Sequence, residues 1–375
     1  MTDTHRRVGI DRIVLAYSGA LETSLAIPWL ADTYGAEIIA VTMDLGQGKE
    51  FLEDARDRAL GTGALRAHVV DVRDEFARDY LTRALKAGLV GPDRPPVAAA
   101  LARPIVASTL VAIAEIEQAK AVAHGDVGRA FPPSADLESS SELEGLARPG
   151  DPALRQAQGI PSLSRDERVA RRGSEAPLSI MIRALDPTLT VLEPAADWGM
   201  DASEQFEYAR LRHIALPAST ASSLDDRTVQ PRPLAGLPEE AAGVDITIER
   251  GVPIAVNGVV MPLLDLIGSL DIIAGAHGVG RMAALHAAHR ALQHATVTRD
   301  VEPFSTLVAQ QYLRILRDGS WFAPMRPALD AYVDKIQERV TGVVRLRLLK
   351  GDCVVVDCRV STVSPPTLIA LTRAH

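Results

Sequence analysis

The sequence predicts an α/β protein in which a doubly wound parallel sheet forms the first domain and a second α+β domain follows. Short apolar runs without strict alternation, typical of strands buried on both faces, recur in the first part of the chain. Helical stretches separate these runs, and that alternation predicts a parallel sheet. The chain has 375 residues, 47% of them hydrophobic, which suffices for two domains with ordinary cores. The predicted strands of the first domain lie near Ile13, Ile38, His68, Val122 and Leu189.

The helices predicted for the first domain run roughly over 21–33, 50–61, 74–88 and 102–118, with Pro28 inside the first. The predicted boundaries are 1–10 for an N-terminal tail, 11–200 for the first domain and 201–375 for the second domain. Residues 131–176 are rich in Pro, Ser, Gly and charge, which predicts a flexible insertion within the first domain.

The second domain is predicted to contain strands over 244–249 and 343–356 and helices over 262–274, 283–293 and 325–341. Apolar residues repeat at helical spacing in the last of these helices, which predicts one buried face. His277, Gly278 and Gly280 indicate a turn and a helix cap rather than chemistry. Cys353 and Cys358 lie five apart in a strand-like stretch, so that we expect reduced thiols on opposite faces and no zinc site.

Composition excludes several classes of protein. The formal net charge of −8 argues against a nucleic-acid partner, which would require a basic face. We find no apolar stretch long enough to span a membrane, and the polar opening, residues 1–7, lacks the apolar core of a signal peptide. These features predict a cytoplasmic protein without a nucleic-acid or membrane partner.

The residues most indicative of function follow the first strand. The apolar run from Ile13 to Tyr17 leads into Ser18-Gly-Ala-Leu-Glu-Thr-Ser24, which opens a helix. Hydroxyls and free backbone N–H groups at the positive end of a helix favour a polyphosphate anion. The motif is not a P-loop, because no lysine follows. Taken alone, it is equally consistent with a simple helix cap by Ser18 or Thr23.

The loop resembles the Ser-Gly-Gly-x-Asp-Thr-Ser loop of the ATP pyrophosphatases, which split ATP into AMP and pyrophosphate. Further blocks resemble argininosuccinate synthase in that family's order, among them Glu249-Arg-Gly-Val-Pro-Ile-Ala-Val-Asn-Gly258 and Ile273-Ala-Gly-Ala-His-Gly-Val-Gly-Arg281. The resemblance implies a C–N ligase that joins citrulline to aspartate, uses ATP and Mg²⁺, and assembles as a homotetramer without a dedicated protein metal site. It implies ATP contacts at Ala16, Tyr17, Ser18, Gly19, Ala20, Leu21, Glu22, Thr23, Ser24, Met43 and Gly125.

Two loop residues depart from the family pattern. Ala20 stands where the family has its second glycine, and its Cβ would disfavour any positive φ needed there. Glu22 stands where the family has aspartate, so its carboxylate reaches one methylene further. We expect weakened but retained nucleotide binding, and we expect the neighbouring His124 to be a packed strand-end residue.

The amino-acid substrate positions depart further. Apolar residues or proline replace polar family residues, and only Ser222 or Ser223 remains to supply a serine contact. A family segment that carries two citrulline ligands is missing between Arg281 and Ala287. The degenerate substrate-binding positions are Pro95, Ala100, Val127, Phe131, Pro132 and Ser222.

Three hypotheses therefore stay open. The chain is an ATP-dependent ligase of the synthase type, an adenylating ligase for a larger and less polar substrate, or a non-catalytic oligomerising relative. The sequence does not assign a catalytic residue.

Overall fold

The computed structural model describes residues 9–91, 97–125, 176–214 and 237–361. The described chain divides into two compact units. The first contains residues 9–76, 97–125, 176–214 and 314–323, and the second contains 77–91, 237–313 and 324–361. The chain therefore passes between the units several times, whereas the predicted boundary at 200 divides it once.

The first unit is built on a five-stranded parallel sheet in the order β3-β2-β1-β4-β5, which confirms the predicted α/β class. The first strand lies in the middle, and Ile13, Val14 and Leu15 are fully buried there, as expected for a strand covered on both faces. The strands are β1 (Arg12–Ala16), β2 (Glu37–Asp44), β3 (Arg66–Asp71), β4 (Ala121–Ala123) and β5 (Thr190–Leu192).

The helices between residues 21 and 211 form close to the predicted positions. The stretch predicted as one helix over 74–88 is three consecutive segments, with a π-helical turn over Phe76–Leu81 between two short α-helices. The helices of this part of the chain are α1 (Leu21–Tyr34), α2 (Lys49–Gly61), α3 (Arg73–Glu75), α4 (Thr82–Lys86), α5 (Ala98–Ile116), α6 (Pro177–Leu185), α7 (Pro194–Asp197) and α8 (Ala202–Leu211).

Helix α5 corrects one expectation from the sequence. Its 19 residues are long and apolar enough to cross a membrane by length and composition alone, whereas we expected no such stretch. The helix contains a buried arginine, Arg103, and packs against α6 and the central strand β1. Half of it is buried within the structure, which is typical of a core helix in an α/β domain.

The second unit contains an antiparallel five-stranded sheet in the order β10-β9-β6-β7-β8. Its strands are β6 (Ala242–Glu249), β7 (Val252–Val256), β8 (Val259–Val260), β9 (Gly342–Leu349) and β10 (Asp352–Val360). The helices α9 (Leu263–Ala276) and α10 (Arg281–Thr296) cover one face, and α11 (Glu302–Arg317) and α12 (Met325–Gln337) follow. The core combines alternate residues of β6 and β9 with the inner faces of α9 and α10.

The end of the chain differs from prediction in two ways. The single strand predicted over 343–356 is a hairpin, β9 and β10, that turns at Lys350 and Gly351, both at positive φ. A bulge between Val355 and Asp357 then shifts the register of β10. Since the bulge adds one residue, Cys353 and Cys358 both pack against the core rather than pointing to opposite faces. Both thiols are free, as predicted.

Candidate nucleotide site

The candidate site begins where β1 ends at the carboxyl edge of the parallel sheet. Tyr17 is fixed there from two sides, because its backbone N–H donates to the Val41 carbonyl at 2.9 Å and its carbonyl accepts from Thr42 Oγ1 at 3.0 Å. Its ring is buried, and burial raises the pKa of the phenol. The loop therefore leaves the sheet from a fixed point at the edge where open α/β folds bind ligands.

A chain of hydroxyl hydrogen bonds shapes the loop. Ser24 Oγ donates to the Ala20 carbonyl at 2.9 Å, so that the Tyr17 hydroxyl, 2.9 Å away, donates to Ser24. Thr23 Oγ1 likewise donates to the Ala20 carbonyl at 3.1 Å and accepts from Ser18 Oγ at 3.2 Å. Ser24 is fully buried, whereas Ser18 is exposed to solvent.

The start of α1 has the free N–H groups expected of an anion site. Ala20 is the N-cap residue, and no side chain accepts a hydrogen bond from the first turn of α1 within the described residues. The Ser18 hydroxyl accepts the N–H of Ala20, the N-cap residue, at 3.3 Å, and neither Ser18 nor Thr23 accepts an N–H of the first turn within the described residues. Uncapped amides at the positive end of a helix dipole are a ready site for a phosphate.

The backbone of the loop corrects the expectation for Ala20. Its φ of −71° and ψ of 164° are extended values that any residue adopts, so that the alanine costs no backbone strain. The position that needs glycine is Gly19, whose φ is +76°. The glycine required by the turn is present, and residue 20 needs no positive φ in this structure.

Gly125 and the loop lie together, as the sequence resemblance implies for a shared ligand. A Cβ on Gly125 would lie 3.4 Å from Cγ2 of Thr23, so that a glycine keeps this approach open. Gly125 follows β4, and the preceding His124 is tied to β5 by a bond from its N–H to the Leu192 carbonyl at 3.1 Å. His124 is 1% exposed, which confirms it as a packed strand-end residue.

A polar trio, formed by the buried His124 and Ser179 and the half-buried Glu193, supports that turn. Ser179 Oγ donates to Glu193 Oε1 at 2.5 Å and lies 2.8 Å from Nε2 of His124. Because the serine has one proton, His124 Nε2 carries the hydrogen of the second bond. Ser179 is fully buried, so that it cannot act as a nucleophile on a bound substrate. Sequence reasoning did not identify Ser179 and Glu193 as partners of His124, because they lie more than 50 residues further along the chain.

Met43 and the segment after it lie at the same edge of the sheet. Met43 is buried at the end of β2, and its carbonyl accepts from Gln47 Nε2 at 2.8 Å. Gln47 Oε1 in turn accepts from the Leu45 N–H at 2.6 Å, so that one side chain closes the turn before α2.

Arg58 is a further residue that sequence reasoning missed. It lies in α2, and its Nη1 donates to the Gly19 carbonyl at 2.6 Å. In the sequence, Asp54 and Arg58 have the i,i+4 spacing of an ordinary surface ion pair, which gave no signal of contact with the loop.

Most of the degenerate substrate positions lie outside the described residues, namely Pro95, Val127, Phe131, Pro132 and Ser222, as does most of the predicted insertion over 131–176. Ala100 is described and is fully buried in α5. The predicted deletion after Arg281 is spanned by α10, which runs without a break from Arg281 to Thr296.

Comparison with known proteins decides the family. Residues 12–131 match the arginosuccinate synthase N-terminal HUP domain, and residues 226–285 and 282–365 match the arginosuccinate synthase C-terminal domain. An argininosuccinate synthase from Brevibacillus brevis is 33% identical over 391 residues, covering 92% of this chain and 83% of the relative. The chain belongs to the argininosuccinate synthase family. A Rubrobacter xylanophilus argininosuccinate synthase is 34% identical over 393 residues, covering 93% of this chain and 85% of the relative.

Membership of the argininosuccinate synthase family supports an ATP-dependent ligase function, and the first unit is its HUP nucleotide-binding domain. Among solved structures, the U34-tRNA thiolase NcsA from Methanococcus maripaludis aligns at a TM-score of 0.29 and 12% identity. That alignment covers 75% of this chain and 71% of NcsA, and at this level it bears on neither fold nor function.

Proposed function

We propose that this chain binds ATP at the loop of residues 18–24 and Gly125 and transfers the adenylyl group to an acceptor oxygen, from which an amine then displaces AMP. The observation that carries the proposal is the uncapped start of α1 beside the left-handed Gly19 turn and Gly125. In this arrangement fixed N–H dipoles face the phosphates, where negative charge develops as pyrophosphate leaves.

Mg²⁺ enters this proposal with the nucleotide. Within the described residues, no group of three or more His, Cys, Asp or Glu side chains could hold a metal ion. Mg²⁺ commonly takes one or two carboxylates together with phosphate oxygens and water. Glu22 is exposed in the first turn of α1, and it is the carboxylate we assign to the ion. The bound ion would neutralise charge on the triphosphate.

The chemical identity of the acceptor distinguishes the synthase activity from an altered ligase. By family resemblance it is the ureido oxygen of citrulline, with aspartate as the amine. A larger and less polar acceptor is the alternative, because Ala100, at a citrulline-binding position of the family, is a buried methyl without a donor or acceptor. The helix α10 continues directly from Arg281, with no added segment to carry the two missing ligands, and this supports the non-catalytic relative instead.

An assay of ATP–pyrophosphate exchange and AMP release tests these proposals. The full chain is incubated with Mg-ATP and labelled pyrophosphate, with and without citrulline plus aspartate. Citrulline-dependent AMP release supports the synthase activity. Exchange that requires another acceptor in place of citrulline supports the altered ligase. Absence of any nucleotide binding contradicts both and leaves the non-catalytic relative.

Three further assignments belong to the same proposal. We assign nucleotide binding to residues 11–200 and synthetase and multimerisation roles to 201–375. We assign the chain to the cytoplasm, with no nucleic-acid or membrane partner, because its relatives are enzymes named for a small-molecule reaction. A homotetramer follows by resemblance, and analytical ultracentrifugation at about four chain masses would support it.

A further inference from the structure

The phosphate loop carries no positive side chain of its own. Its seven residues, Ser18 to Ser24, include one charged group, the carboxylate of Glu22. A P-loop meets the charge of its nucleotide with a lysine inside the motif, and this loop has none. Uncapped amides supply only partial charges, equivalent together to about half an elementary charge. A triphosphate at this loop therefore needs a cation from another element.

Arg58 reaches the loop from α2. Its side chain is only 9% exposed, although it lies in the last turn of a surface helix. Nη1 donates to the Gly19 carbonyl at 2.6 Å, and Nη2 pairs with the exposed carboxylate of Asp54. A Cβ on Gly19 would lie 3.6 Å from the same Nη1, so that the guanidinium lies directly behind the left-handed turn.

The position of the guanidinium has two consequences. The bond to the Gly19 carbonyl fixes the peptide that sets the direction of the loop, because Gly19 is the residue at φ +76°. The low exposure of the side chain limits screening by water, so that its charge acts on the loop more strongly than a solvated arginine would. Asp54, by contrast, is 62% exposed and offsets that charge only from the solvent side.

We propose that Arg58 is a positioning residue for the triphosphate of ATP: it holds the Gly19 turn and supplies the positive charge that the loop lacks. This inference rests on the proposed ATP-binding function. It predicts that Arg58 selects for the anionic part of the nucleotide. Its loss should weaken ATP and pyrophosphate binding and leave the binding of uncharged adenosine nearly unchanged.

Three variants separate charge from hydrogen bonding. Arg58→Gln retains an N–H donor for the Gly19 carbonyl but removes the charge, and Arg58→Lys retains the charge on a different geometry. Asp54→Asn is the matched control, since it removes the ion-pair partner while Arg58 keeps its bond to Gly19. Calorimetric titration of the full chain with ATP, inorganic pyrophosphate and adenosine gives the dissociation constants. Thermal melting of each variant confirms that it folds.

We expect Arg58→Gln to weaken ATP and pyrophosphate by about tenfold or more, about 1.4 kcal/mol, and adenosine by less than twofold. Arg58→Lys should recover most of the loss, and Asp54→Asn should bind ATP as tightly as the wild type or tighter. Equal weakening of ATP and adenosine by Arg58→Gln, or no weakening of either, would overturn the role of Arg58. A wild-type chain that binds neither ATP nor pyrophosphate would instead overturn the proposed function itself.

Discussion

The two small residues at the start of the loop should respond differently to substitution. Gly19 has φ +76°, and a Cβ there would meet Ala55 Cβ at 3.4 Å, an ordinary contact distance. Space therefore does not exclude alanine at this position, but the left-handed backbone costs it about 1 to 2 kcal/mol. A turn that relaxes to relieve this strain would move the carbonyl held by Arg58 and the amides that follow. Gly19→Ala should weaken ATP binding by about 5- to 30-fold.

The reverse change at the next position is the control. Ala20 already has φ −71°, so that Ala20→Gly removes no strain and should leave ATP affinity within about twofold. Calorimetric titration of both variants with Mg-ATP, together with urea unfolding, measures affinity and stability separately. A large gain in affinity for Ala20→Gly, or none of the expected loss for Gly19→Ala, would refute the assignment of the turn.

Three further outcomes follow from buried groups. Ser179→Ala leaves the buried His124 and the half-buried Glu193 without their hydrogen bonds and should cost about 1 to 3 kcal/mol in urea unfolding. Ser108→Ala, at a half-buried position of α5, should cost less than about 0.5 kcal/mol. Burial lowers the pKa of His289 from 6.5 to about 4. The unfolded chain therefore binds more protons than the folded chain between these pH values. The free energy of unfolding should fall by about 3 kcal/mol as the pH drops through that window. His289→Gln should remove that part of the pH dependence of unfolding, and the exposed-site change His294→Gln should not. Burial raises the pKa of the Cys353 thiol to about 11. Its alkylation at pH 8 should therefore be about two orders of magnitude slower than that of a free thiol. A rate equal to that of free cysteine would contradict the packing of Cys353.

The centre of the parallel sheet was predictable because β1, β2 and β4 are buried on both faces. The runs around Ile13, Ile38 and Val122 are apolar without interruption, and the first two strands pair directly in the structure. The second unit was harder to predict. Its strand β10 is mostly exposed and bulged, and the stretch predicted as one strand over 343–356 contains a turn at Lys350 and Gly351. A bulge leaves no periodic signal, so the facing of the two cysteines could not be read from their spacing.

The candidate site was predictable where its residues are adjacent in sequence. The order Ser18, Gly19, Thr23 after a buried strand indicates a phosphate loop, and the structure adds that the helix is uncapped. Contacts made across the fold could not be found in this way. Arg58 reaches Gly19 over 39 positions, and Ser179 reaches His124 over 55 positions. A single sequence gives no signal for such pairs.

Titration of the full chain with Mg-ATP tests the central claim most directly. If the uncapped start of α1 beside Gly19 and Gly125 is a triphosphate site, ATP should bind saturably and pyrophosphate should compete for it, with Gly19→Ala weakening both. Binding of ATP that pyrophosphate does not displace, or the absence of binding at millimolar ATP, would contradict the account.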